Sequence, residues 1–224
     1  TDPEVPKHAG LTYFIVDMAS PGIDVRPLVQ AQGVAHFNEV FLSEVRIPFT
    51  NVVGEVGGGW KVTRTTLRSE SSMISGAGQA TTFVTVLATA QRCGATADPQ
   101  IRQELARVWS NEQILRYLSM RAQTAVMTKR PELAVHGSIM KNFFTRSFAH
   151  RATLALHCEG AEGMLDAEAE GDGFWQYQCI NQFASKIGGG TEEVHRNNIG
   201  EQVLGLPREP ATDLDLPWSA IRKA

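Results

Sequence analysis

Several features that mark particular classes of protein are missing from this sequence. It contains no run of roughly 18 apolar residues, the length that a membrane-spanning helix needs. Its 21 Lys and Arg residues are scattered and are balanced by 24 Asp and Glu residues, so no basic stripe indicates nucleic-acid binding. Its three cysteines form no CxxC pair. We therefore predict reduced thiols in a cytoplasmic protein, with no membrane span and no nucleic-acid partner.

Short catalytic motifs are also absent. HExxH, G-x-S-x-G, G-x-G-x-x-G and the phosphate-binding loop do not occur. His157, Cys158 and Glu159 are adjacent, but successive helix residues point in different directions, so we predict no metal site. Glycine clusters at 57–59 and 188–190 each precede a predicted helix. They are either anion sites at helix N-termini or flexible helix entries.

The hydrophobic pattern changes near residues 54–59. Before them, β-rich segments and turn signals predict strands; after them, apolar residues recur at helical spacing. The predicted strands are Leu11–Asp17, Ile23–Val29 and Ala35–Leu42, and the predicted helices are Trp60 to about Arg92, Ile101–Met127, a helix through Ile139–Phe148 with Pro131 at its start, Trp175–Ser185, and a final helix through Val203 capped by Thr191. This order predicts an α+β chain with a partial β-sheet followed by an antiparallel four-helix bundle.

Several segments together carry a family resemblance. The stretches Tyr13–Asp17 and Phe37–Pro48 look like the second half of the middle β-domain of the acyl-CoA dehydrogenases. Asn51-Val-Val-Gly-Glu55 before Gly59-Trp60 is similar to the entry into its C-terminal helices. The most specific segment is Ile187-Gly-Gly-Gly-Thr-Glu-Glu-Val-His-Arg-Asn-Asn-Ile199.

The resemblance implies three parts: residues 1–55 as half of the middle β-domain, 56–207 as the C-terminal helical bundle, and 208–224 as a surface tail. It also implies FAD, an acyl-CoA substrate oxidised to trans-2-enoyl-CoA in fatty acid and lipid metabolism, an electron-transfer flavoprotein as acceptor, and a homotetramer or heterotetramer. The family's N-terminal part has no counterpart in the chain. We therefore expect the chain alone to bind FAD poorly and to be inactive.

Glu70 is the candidate catalytic base. By itself, a glutamate inside a helix is usually a solvated surface residue. Many family members carry the base in a Glu-Gly-Thr motif where this chain has Gly189-Gly190-Thr191, whereas a smaller group carries it on the first long helix in Leu-Asp-Leu-Glu-Arg. Here the second motif reads Leu67-Arg-Ser-Glu-Ser71, so the resemblance places the base at Glu70 and leaves a backbone N–H at Gly189.

Other site residues follow from the same resemblance. Gly188 and Gly189 are expected to hold the thioester oxygen, and Arg68 a CoA phosphate. For FAD, the expected contacts are His157, Gly160, Ala161, Thr191 and Glu193. The segment His157–Gly163 stands where relatives contact the flavin of a neighbouring subunit; otherwise it is a structural turn at a helix end.

Departures from the family pattern leave alternatives open. The family's Arg-x-x-Phe-Gly motif is not recognisable, and Arg92-Cys-Gly94 occupies its region, as in a subgroup common in actinobacteria. Ser71 replaces the arginine that follows the helical base. One alternative is a non-catalytic, FAD-scaffolding subunit of a heterotetrameric acyl-CoA dehydrogenase. Another is a flavoprotein oxidase or hydroxylase of the same fold.

Overall fold

The computed structural model describes residues 1–74, 81–165, 173–210 and 213–221, with residues 68–74 described as helical backbone only. The chain divides into two compact units. The first combines Thr1–Ser72 with Arg208–Ala224, and the second is Met73–Pro207. Within the described residues, no helix is long and apolar enough to cross a membrane.

The first unit contains a two-stranded sheet and one helix. Strand β1 (Ile23–Leu28) pairs antiparallel with β2 (Phe37–Leu42), in the register that places Ile23 opposite Leu42. These two strands confirm two of the predicted strands to within two residues. Helix α1 (Gly59–Ile74) follows.

The predicted strand Leu11–Asp17 is wrong as a regular strand. Its backbone makes alternate hydrogen bonds, from Gly59 N to Leu11 O (2.8 Å) and from Val53 N to Tyr13 O (2.9 Å). The partner segment contains a 3-10 turn, Phe49–Asn51, and glycines. Only isolated bridges form along it, because such a segment offers no continuous ladder.

The two ends of the chain meet within the first unit. Trp218 N donates to Val5 O (3.1 Å), and Ser219 N donates to Pro3 O (2.9 Å). The Lys7 ammonium lies 2.9 Å from Asp213 Oδ2. This hydrogen bond holds the pKa of Asp213 below its ordinary value.

The second unit is helical. Its helices are α2 (Phe83–Arg92), α3 (Pro99–Thr128), α4 (Gly137–Glu159), α5 (Phe174–Ile187) and α6 (Glu192–Asn198), which runs on into a π-helical turn, Ile199–Val203. A small sheet followed by packed helices confirms the predicted α+β class, and the described strands close no barrel.

The prediction of one helix from Trp60 to Arg92 is wrong. A new helix begins after Thr82, whose extended backbone and hydroxyl form a capping box with Thr85. The Glu112 carboxylate of α3 also accepts a hydrogen bond from Phe83 N, at 2.6 Å. Free N–H groups at a helix start are satisfied by such acceptors, and apolar periodicity alone does not reveal them.

The start of α4 also differs from prediction. Pro131 begins a short 3-10 turn, Pro131–Leu133, whereas α4 itself begins at Gly137 after the N-cap His136. The His136 side chain accepts a hydrogen bond from Ser138 N at 3.2 Å. The predicted N-cap Thr191 is confirmed, because its hydroxyl accepts from Val194 N at 3.3 Å.

The core of the second unit lies where α2, α3, α4 and α5 meet. The buried residues that form it are Val86, Ala90, Ile101, Leu105, Val108, Leu154, Ala155, Cys158 and Trp175. Trp175 Nε1 donates to Thr89 Oγ1 at 2.8 Å, so the one polar atom of this indole is satisfied inside the core. Helix α4 packs against each of the other three helices. It therefore supports the loops of the candidate site.

Candidate functional site

The loop Gly188–Gly190 connects α5 to α6. Gly188 ends α5, and its N–H donates to Ala184 O at 2.8 Å. Gly189 and Gly190 follow with φ of +69° and +99°, a region that side chains disfavour. A Cβ on Gly190 would also lie 3.0 Å from His195 Nε2. The glycines are therefore required by the path of this loop.

Lys141, from the first half of α4, anchors the loop. Its half-buried ammonium donates to Ser185 O (2.7 Å) and to Gly188 O (2.5 Å). Burial lowers the pKa of Lys141, since removal from water disfavours the charged form. The last carbonyls of α5 carry the negative end of the helix dipole, so a cation is favourable there.

His195 of α6 provides a second anchor. Its Nε2 lies 3.1 Å from Gly189 O, and its Nδ1 lies 2.9 Å from Ser138 Oγ. A carbonyl oxygen only accepts, so Nε2 carries the proton and a neutral ring accepts the Ser138 hydroxyl at Nδ1. The histidine thus links the glycine loop to the start of α4.

A third contact joins α6 to α4. The fully buried Thr145 Oγ1 lies 3.2 Å from Glu192 Oε1, and Glu192 Oε2 lies 3.4 Å from Arg196. Lys141 and Thr145 are four residues apart on α4 and so share one face of the helix. Side chains from that face hold both sides of the loop in one position.

This fixed loop presents a hydrogen-bond donor. Among the described residues, none accepts a hydrogen bond from the Gly189 N–H. A fixed N–H group is a suitable partner for a carbonyl oxygen on which negative charge develops during a reaction.

Thr191 and Glu193, two of the predicted flavin contacts, lie immediately after this loop. Thr191 caps α6, and the exposed Glu193 belongs to its first turn. Hydrogen bonds from the Glu193 backbone N–H and the Thr191 hydroxyl hold the pKa of Glu193 below its usual range. Both residues have a structural role in the start of α6, and their polar atoms remain near the surface.

The predicted flavin contacts His157, Gly160 and Ala161 lie at the other end of α4. His157 is exposed in its last turn, and the His157 carbonyl accepts from Gly160 N at 3.1 Å. Gly160 has φ +58°, and within the described part of the chain nothing lies within 4 Å of where its Cβ would be. Ala161 begins the following 3-10 turn. The segment is a solvent-accessible helix end.

These two groups of predicted site residues are not brought together within the unit. Between Lys141 and His157, α4 rises by about 24 Å at about 1.5 Å per residue. The glycine loop and the His157 turn therefore cannot contact the same small group in one copy of the chain.

Glu70 and Arg68 belong to α1, in the other compact unit. Their side chains lie outside the described residues, so their roles as base and substrate contact stay predictions.

The anchoring residues Lys141, Ser138, Thr145, Glu192 and His195 were not singled out from the sequence. A usable signal was present for one of them, since Lys141, with Asn142, interrupts the apolar residues of α4 between Met140 and Phe143. The described residues contain no group of three or more His, Cys, Asp or Glu side chains placed to hold a metal ion.

Comparison with known proteins places the chain in a family. The family model for the C-terminal domain of acyl-CoA dehydrogenases matches residues 57–204. Acyl-CoA dehydrogenase IpdE1 of Mycobacterium tuberculosis is 35% identical over 207 residues, which cover 91% of this chain and 52% of that protein. IpdE1 of Mycolicibacterium smegmatis is 34% identical, with 91% and 51% covered.

A solved structure agrees with these relatives. The Tcur3481-Tcur3483 steroid ACAD aligns with a TM-score of 0.81 and 27% identity, over 93% of this chain and 55% of that one. The chain therefore spans about half the length of the relatives it matches. On the family-model match and the IpdE1 similarity together, the chain belongs to the acyl-CoA dehydrogenase family.

Proposed function

We propose that the protein carrying this chain dehydrogenates an acyl-CoA thioester between Cα and Cβ, giving trans-2-enoyl-CoA, in a bacterial cytoplasm. The observation that carries this proposal is the Gly189 N–H. It belongs to a loop held by Lys141 and His195, and no described residue accepts its hydrogen bond. Family membership supplies the reaction class, and the loop supplies a group that the reaction needs.

The chemistry explains that need. Removing a proton from Cα places negative charge on the thioester oxygen, and fixed donors lower the barrier by stabilising that charge. In this proposal the Gly189 N–H donates to this oxygen. Lys141 does not touch the substrate in this proposal; it fixes Gly188 and so keeps the donor in position.

Glu70 is the proposed base. A catalytic carboxylate with a pKa near the working pH removes a proton most effectively, and burial with substrate provides the shift. The resemblance places the base on the first long helix in relatives that lack a carboxylate at the position of Gly189, and Glu70 occupies that helical position here. Arg68, two residues earlier, is proposed to meet a CoA phosphate.

The described residues are compatible with FAD. An exposed imidazole at His157, an open turn at Gly160 and Ala161, and surface polar groups at Thr191 and Glu193 form a donor and acceptor set that suits its polar parts. FAD, when bound, would accept the hydride that leaves Cβ. Since Lys141, which holds the glycine loop, is about 24 Å from His157 along α4, we propose that the two groups serve different flavins, with His157, Gly160 and Ala161 reaching that of a neighbouring subunit.

The test is product formation from a panel of acyl-CoA thioesters. The purified protein, incubated with an artificial electron acceptor, should convert at least one thioester into a product two hydrogens lighter by mass spectrometry. With the acceptor replaced by an electron-transfer flavoprotein, we expect turnover to continue. Hydrolysis to free CoA without loss of hydrogen, across the whole panel, would contradict the proposal.

A second candidate is a scaffolding subunit of a heterotetramer. It is favoured by two structural neighbours that are each named as a combination of two proteins, the Tcur3481-Tcur3483 steroid ACAD and the ChsE4-ChsE5 complex from Mycobacterium tuberculosis. In that case the protein purified alone should be colourless and inactive, and should gain FAD and activity on co-expression with a second acyl-CoA dehydrogenase chain. A yellow, active homo-oligomer would exclude this candidate.

A further inference from the structure

Two of the three cysteines lie at the C-terminal ends of two helices that pack together. Cys93 is the C-cap of α2, and Cys158 is in the last turn of α4. Their chain neighbours form an ion pair, with Arg92 Nη2 lying 3.0 Å from Glu159 Oε1. The ends of α2 and α4 are therefore held against each other at the positions that carry the thiols.

The spacing of buried residues directs both thiols to the same interface. Val86, Ala90 and Cys93 follow at intervals of four and three on α2, so they share one helix face. On α4, Ala155 and Cys158 share a face in the same way. Val86, Ala90 and Ala155 are completely buried, in the same cluster as Cys158. Cys93 thus continues the α2 face that packs on α4.

Close approach of these helices is possible because small residues lie between them. Ala90 of α2 and Ala155 of α4 are each 0% exposed and belong to one core cluster, and axis separation falls when contact side chains are small. A disulfide needs Cα atoms about 4.4–6.8 Å apart, which only closely packed helices achieve.

The thiols also influence each other electrostatically. Burial raises the pKa of Cys158, and the negative charges of Cys93 and Glu159 raise it further. Cys158 is 7% exposed, whereas Cys93 is half-buried. An oxidant therefore reaches Cys93 first.

We propose that Cys93 and Cys158 form a redox-responsive thiol pair that closes to a disulfide when the protein meets a peroxide. The Cys93 sulfur attacks a peroxide oxygen, the O–O bond breaks, and an alcohol or water leaves; Cys93 becomes a sulfenic acid and the peroxide is reduced. The Cys158 sulfur then attacks the Cys93 sulfur. The S–O bond breaks, and the leaving hydroxide combines with the Cys158 proton as water. Two thiols and one peroxide thus give one disulfide, water and an alcohol or second water.

The position of this pair gives it a consequence for the protein. Cys158 directly follows His157 and precedes the Gly160 turn. The disulfide would therefore cross-link to α2 the segment that is proposed above to contact the flavin of a neighbouring subunit. That consequence rests on the proposed function. The cross-link itself does not.

The test uses hydrogen peroxide on the purified protein, followed by thiol titration and peptide mass spectrometry without reduction. Of the three thiols in this chain, wild type should lose two and yield an intramolecular Cys93–Cys158 peptide pair, and dithiothreitol should restore both. Cys179→Ser, the matched control in α5, should still form the pair. Cys93→Ser should leave Cys158 reduced, and this variant decides the case even if Cys158→Ser fails to fold.

Three outcomes would overturn the proposal. They are a cross-link through Cys179 or between molecules, over-oxidation of Cys93 to sulfinic acid while Cys158 stays reduced, and retention of all three thiols.

Discussion

Replacing Lys141 by Met tests whether one ammonium group holds the glycine loop. The change preserves much of the side chain's length and apolar stem but removes two hydrogen bonds, to Ser185 O at 2.7 Å and Gly188 O at 2.5 Å. A hydrogen bond to a charged group contributes about 1.5–3 kcal/mol net. Relief of the cost of burying the ammonium offsets part of this loss. We therefore expect Lys141→Met to lower the free energy of unfolding by about 2–3 kcal/mol.

Urea unfolding followed by tryptophan fluorescence measures this change, because Trp109 and Trp175 both lie in the helical unit. Hydrogen exchange of the Gly188 amide should also accelerate in the variant, since the loop that contains Gly188 loses its hydrogen bond from Lys141. Lys186→Met in α5 is the matched control; its ammonium lies 5.5 Å from the Phe183 ring, an exposed contact that contributes about 0.5–1 kcal/mol. If Lys141→Met unfolds within 0.5 kcal/mol of wild type and its loop exchanges at the wild-type rate, the anchoring role is refuted.

Two further predictions concern backbone strain and acid stability. Gly190→Ala should destabilise the protein by about 1–3 kcal/mol, because φ is +99° and the new Cβ meets His195 Nε2 at 3.0 Å. It should cost more than Gly205→Ala, where φ is +68° and no atom of the described residues lies within 4 Å of the new Cβ. Equal costs in chemical unfolding would show that the loop relaxes. Asp213→Asn should speed amide exchange in the C-terminal segment at neutral pH. Because the pKa of Asp213 is lowered by Lys7 from its ordinary value of 3.8, the stabilisation is present above that value and is lost as the pH falls through the folded-state pKa; a difference that persists at lower pH would contradict this reasoning.

The elements that the sequence predicted best have a local physical signal. The strands Ile23–Leu28 and Phe37–Leu42 are bounded by turn residues, and α3 shows regular apolar spacing after the N-cap Asp98 and Pro99. The single helix predicted through residue 92 failed for a reason that is not local. Glu112, from a helix that follows, supplies an acceptor at the start of α2, and hydrophobic spacing contains no information about it.

The residues of the candidate site also fall into those with a local sequence signal and those without one. Gly189 and Thr191 could be identified from a short motif, because their backbone roles depend on glycine and on a capping hydroxyl. Lys141 and Ser138 could not, because their partners are about 50 residues away in sequence and meet them only after α4 packs beneath α5 and α6. The roles of Glu70 and Arg68 remain predictions from family resemblance.

Flavin reduction in a Glu70→Gln variant tests the central claim most directly. The variant keeps the size of the side chain but removes the base, so protein with bound FAD should lose its flavin colour about 10²–10⁴-fold more slowly than wild type when mixed anaerobically with a substrate acyl-CoA. Glu39→Gln, at an exposed position of β2, should react at the wild-type rate. A Glu70→Gln protein that retains FAD and is reduced as fast as wild type would contradict the assignment of Glu70 as the base.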